Sequence, residues 1–283
     1  MDDPESTRAA LHDFCAERLG PELAVQFVDL ARPGFALTEA ENPGDAAGLS
    51  RFGGRAMLEP GTPWPTCDGF PLSLLAVLDT APLAPWLGDL LPASGAGLLN
   101  FFYLDAESEQ CDPASYDLMQ KYGPYETQVS RVIPARHPHA VETDPPARSS
   151  LFEPVPWAAS PGFAFPDSFD WPAWRALELG PDVDDMHRAM PDVYVQELLT
   201  DWSQRPGALD TAGLAFGRPQ VTTSNSPMLP RGEDPNLYQH LLQLSGENEW
   251  YIGGEGGWMH WSIPTDALRA GDFSRAIPTP ALW

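Results

Sequence analysis

Asp79, Glu255 and His260 are the residues whose types best suit chemistry, because two carboxylates and an imidazole are the ingredients of hydrolytic acid–base catalysis. Trp258 joins them as a ligand-binding candidate two positions before His260. Asp79 lies in the first half of the chain and the others near its end. A site built from them therefore requires a cleft between two halves.

Other constellations are weaker. Asp182, Asp184, Asp185 and His187 fall in D-V-D-D-M-H, oxygen-rich chemistry that suits Ca²⁺, Mg²⁺ or Mn²⁺. Acidic residues at a helix N-terminus have the same look, and the longer ligand ladder of a calcium loop is missing. His137 and His139 flank Pro138 and would share one side of an extended chain, within reach of one metal. Glu142 is the nearest carboxylate, and a solvated loop is the plain alternative. Cys67 needs a base to activate its thiol, with His260 as a formal candidate. The glycines around Glu255 (253–257) open a strand rather than a helix. They lack the N–H array that binds phosphate and are expected to form a turn with positive φ. Neither a nucleophile elbow nor a phosphate-binding glycine loop is present. No cofactor and no metal is expected.

The charge balance narrows the partners. Among 283 residues, 40 are acidic and 16 basic, giving −24, and Lys121 is the sole lysine. Nucleic-acid affinity is built from cations on phosphates, so nucleic acids and anionic membranes are poor partners. A basic protein fits better, although solubility alone would also explain the charge. Of the ten tryptophans, most stand near Pro or Gly, where they would either anchor a partner or cap the sheet ends. Three widely spaced cysteines suggest neither disulfides nor zinc. The opening Asp2-Asp3-Pro4-Glu5 has no secretory character, and no apolar run reaches the roughly 18 residues of a membrane span, so a cytoplasmic location is expected.

The elements that must position these groups follow from periodicity. A helix is expected over 6–19 and strands over 24–30 and 35–39. Buried strands are expected over 71–79, 95–105 and 128–134. Residues 137–168 are Pro-rich and are expected to be a crossover connection. Helices should start at Asp170-Trp171-Pro172 and run from about 191 to 204; strands should occupy 240–245 and 257–263, before a short helical turn. The second half also echoes the first. Phe52-Gly53-Gly54 corresponds to Phe216-Gly217-Arg218, 74–79 to 240–245, and 97–101 to 257–261. The expected fold class is α+β, two similar halves from internal duplication, each with a mainly antiparallel sheet and flanking helices. Residues 1–44 would pack on a core formed by a first repeat (45–136) and a second (137–283).

The order F-G-G, W-P, P-L-S-L-L-A-V-L-D and G-A-G-L-L-N-F-F-Y, with the ending G-E-G-G-W-M-H-W-S-I, resembles the YwqG-like family, domain of unknown function family 1963, over roughly residues 45–283. The resemblance implies an α+β fold with internal duplication and brings no activity. The chain departs from it at Thr222-Thr223-Ser224-Asn225, Ser245 and Glu255, where the family tends to carry other residues, in part carboxylates. The expected function is a non-catalytic binding protein engaging a macromolecular partner, of inhibitor or immunity type. The alternatives are a hydrolase-like enzyme or a small-ligand module with its site in the cleft.

Overall fold

The computed structural model describes residues 3–92, 95, 97–166, 177, 191–209, 213–219, 237–245 and 257–282. Helix α1 (Pro4–Leu19) starts where Asp3 accepts a hydrogen bond from the Ser6 N–H and Pro4 occupies the first turn. It buries Leu11, Phe14 and Cys15 and stops at Gly20, whose φ is +80°. Pro21 then restarts a helix, α2 (Pro21–Leu30). A strand was expected over 24–30. The apolar residues Leu23, Ala24, Phe27 and Val28 instead lie on one buried helical face, because Pro21 supplies the first-turn geometry that alternation alone does not reveal.

The remaining strands are β1 (Arg32–Glu39), β2 (Arg51–Phe52), β3 (Ala56–Leu58), β4 (Thr66–Cys67), β5 (Phe70–Pro71), β6 (Ser73–Asp79), β7 (Leu98–Tyr103), β8 (Ser130–Ala135), β9 (Val141–Thr143), β10 (Val155–Ala164), β11 (Leu214–Phe216), β12 (Tyr238–Ser245), β13 (Gly257–Pro264) and β14 (Ile277–Leu282). The helices between them are α3 (Ala84–Leu87), α4 (Pro113–Tyr122), α5 (Pro191–Ser203) and α6 (Thr265–Ala270). Ten strands form one antiparallel sheet in the order β14-β13-β12-β11-β1-β10-β2-β6-β7-β8. The pairs β3–β9 and β4–β5 stand apart from it.

A sheet in each half was expected. The two runs are instead joined through β1 and β10, which pair from Arg32–Ala164 to Glu39–Trp157. The expected connection over 137–168 in fact contains β9 and the ten-residue β10. Pro156 and Pro161 disguise it in the sequence. Pro161 is tolerated because its missing N–H falls on the side of β10 away from β1, which is paired only towards the two ends of the strand, and Pro156 because it lies just past the last β1 pair, Glu39–Trp157. Gly34 in β1 is required by close approach, since a methyl group there would lie 2.7 Å from the Gly217 nitrogen.

Four consecutive strands flank each side of the β1–β10 pair. Their registers share a feature: a bulge between Leu74 and Ala76 in β6, and one between His240 and Leu242 in β12. The sheet curls so far that its two ends meet. The Trp261 Nε1–H on β13 donates to Ser130 Oγ on β8 at 2.9 Å, and its ring stands edge-on to Phe101 of β7. Both runs and the N-terminal helices share one core. On the edge strand β14, Pro278 and Pro280 are two apart, so both missing N–H groups fall on the same side, away from the ladder.

No described helix is long and apolar enough to cross a membrane. The expected helix start at Asp170, the acidic cluster at 182–187, and Glu255 with Gly253, Gly254 and Gly256 all lie outside the described residues.

Candidate functional site

Strand alternation sorts β13 into two faces. Met259, Trp261 and Ile263 point to one, and Trp258, His260 and Ser262 to the other. The register sets His240 opposite Ser262, and His260 opposite both Gln243 on β12 and Thr279 on β14. One face thus carries His240, Gln243, His260, Ser262 and Thr279, and all five are buried. At the corresponding register of the first run stand Leu74 opposite Phe102, and Asn100 opposite Val77 and Ile133. Those five positions are apolar except for Asn100. Asn100 is fully engaged: its Oδ1 accepts from the Met57 N–H at 2.7 Å, and its Nδ2 donates to the carbonyls of Met57 (2.8 Å) and Ile133 (3.0 Å).

The second run differs in its polar partners. His240 Nδ1 lies 2.9 Å from the Phe216 carbonyl oxygen, so it carries the proton and donates. His240 Nε2 and both ring nitrogens of His260 are buried with no hydrogen-bond partner. The two rings are 5.8 Å apart at their centroids. Burial lowers the His240 pKa to about 4, opposed by the backbone of Phe216 and of Leu242, with Arg32 adding a smaller lowering. Burial, then the neighbouring His240, pulls His260 well below the usual histidine range. Both rings are neutral at pH 7. Phe216 has φ +57°, a strained conformation for an aromatic residue, and so aims its carbonyl at His240. Arg218, buried two residues on, donates from Nε to the Leu30 carbonyl.

Asp79, at the end of β6, belongs to a different cluster. Its Oδ1 is 2.7 Å from His137 Nε2 and accepts from the Ala81 N–H, and its Oδ2 accepts from the Leu49 N–H. The Asp79 side chain is 3% exposed and that of His137 38%. Asp79 is thus paired with His137 rather than with His260. Among the described residues no group of three His, Cys, Asp or Glu is placed to hold a metal ion. Cys67 is buried in β4, where desolvation and then the Asp68 carboxylate raise its thiol pKa, the opposite of activation. Trp258 is half-buried on the polar face beside His260. Of the described tryptophans, Trp86, Trp157, Trp202 and Trp261 are buried, and Trp64 and Trp258 half-buried. His240 and Gln243 were not singled out in the sequence.

The family described as Domain of unknown function (DUF1963) matches residues 50–279. The chain belongs to this family. The DUF1963 span takes in β2 through the first half of β14, with the polar face and the Asp79–His137 pair. It leaves out α1, α2 and β1, although β1 runs through the middle of the sheet. Comparison with curated proteins finds no match.

Proposed function

We propose that this chain is a non-catalytic binding protein that holds a small polar ligand against His240, Gln243, His260, Ser262 and Thr279. The observation that carries the proposal is His260, fully buried with both ring nitrogens unpartnered. A buried polar group left unpaired costs about 1–3 kcal/mol, and native proteins keep such groups chiefly where a bound partner or function uses them. An acid–base role for His260 with Asp79 has less support, since that carboxylate is committed to His137 and two backbone N–H groups.

The mirrored strand order and matching bulges support internal duplication, with the second copy carrying a polar face where the first is apolar. The −24 charge supports a second reading, a basic macromolecular partner. Four of the six described tryptophans are buried in the fold, so the small ligand takes precedence. Free Cys15, Cys67 and Cys111 suit a reducing, cytoplasmic setting.

The test is a thermal-shift panel of amino acids, nucleosides, sugars and divalent metal ions against the wild type and H260L. Compounds that stabilise the wild type but not H260L are expected. If every stabilising compound acts equally on both proteins, the polar face is not the binding site.

A further inference from the structure

We infer that His240 and His260 form a chelating site for a late first-row transition-metal dication such as Zn²⁺, Ni²⁺ or Cu²⁺. The inference rests on the polar face being a binding site and names its occupant. His240 stands opposite Ser262 and His260 opposite Gln243, so the two imidazoles are diagonal neighbours on one face of adjacent strands. Their centroids are 5.8 Å apart. An imidazole nitrogen binds zinc at about 2.0–2.1 Å, and with roughly 1.1 Å from nitrogen to ring centre, two rings sharing one ion have centroids roughly 5–6 Å apart. The pair is spaced for a single shared ion.

The protonation pattern agrees. Metal-bound histidines commonly donate their other ring N–H to a backbone carbonyl, which fixes the tautomer and aims the lone pair. His240 makes that bond to Phe216, leaving Nε2 as a lone-pair donor without a partner. His260 offers either nitrogen. A single ion needs only the gap between two ring nitrogens, whereas a polyatomic anion needs a cavity. Arg32 sets the limit: its charge, held at the Tyr238 carbonyl, opposes a dication. Two neutral imidazoles are a sparse ligand set for such an ion. The site's affinity should be micromolar rather than nanomolar.

The experiment is calorimetric titration of the chelator-stripped full chain with ZnCl₂ and NiCl₂, for the wild type, H260L and H137A. One equivalent should bind to the wild type and to H137A, at least tenfold more weakly to H260L. In parallel, the ring signals of His240 and His260 in the wild type should shift on zinc addition, a readout independent of any variant's folding. Absence of binding, unchanged binding in H260L, loss in H137A, or unmoved His240 and His260 signals would each overturn the inference. If organic compounds in the thermal panel discriminate H260L while zinc and nickel do not bind, the binding face stands and its metal occupant is wrong.

Discussion

Asn100 and His260 hold the same register in the two four-strand runs: each sits opposite the second residue beyond its neighbour's bulge. Asn100 ties β7 to β3 and β8 through three hydrogen bonds, whereas His260 makes none. One position is used to hold the fold together; the other leaves its polar atoms available. Asn100→Ala should therefore destabilise the protein by about 2–4 kcal/mol, since it orphans the Met57 N–H and two carbonyls in a buried place. Urea unfolding measures it.

Asp79 should act as a structural clamp. Its carboxylate gathers the Leu49 and Ala81 N–H groups and His137 at the end of β6. Asp79→Ala should cost about 2–4 kcal/mol, and His137→Ala less, because the imidazole is partly solvated. Gly48→Ala should also destabilise. Gly48 has φ +61°, and a methyl group there would come within 2.2 Å of Asp79 Oδ2. Chemical denaturation of the three variants should rank Asp79→Ala above His137→Ala.

The buried histidines predict a pH dependence. Burial lowers their pKa values in the folded protein, to about 4 for His240, while an unfolded histidine titrates near about 6.5. Between these values the unfolded chain binds more protons, so stability falls as the pH drops from about 6.5 towards 4, by up to about 1.4 kcal/mol per unit for each histidine. H260L should flatten that slope. Unfolding free energies at pH 7, 6 and 5 check the sign.

The seam where the sheet ends meet offers another test. Ser130→Ala leaves the Trp261 Nε1–H buried without an acceptor and should cost about 1–3 kcal/mol. If the variant matches the wild type in a thermal melt, the contact does not hold the seam.

Much of the ladder was legible from local pattern. β6, β7, β12 and β13 lie where apolar runs placed them, with α1 and α5 near their expected spans. Two elements were hidden by proline: α2, because Gly20-Pro21 both ends and restarts a helix, and β10, because Pro156 and Pro161 break the strand pattern. The polar face was hidden for another reason. His240 and Gln243 are an odd number of residues apart and would lie on opposite faces of a regular strand. The bulge after His240 brings them to the same face, and a bulge is a property of the strand pair. Asp79 and His137, 58 residues apart, meet only through the sheet, so sequence proximity grouped His137 with His139 instead.

The claim that the β12–β13 face is built for a ligand is tested most directly by the unfolding free energy of H260L, measured in ligand-free protein beside N100L. Removing an unpaired buried imidazole should leave stability unchanged or raise it, by up to about 1–3 kcal/mol, while N100L should lose stability. If H260L loses as much as N100L, His260 holds the fold together as Asn100 does, and the face is structural.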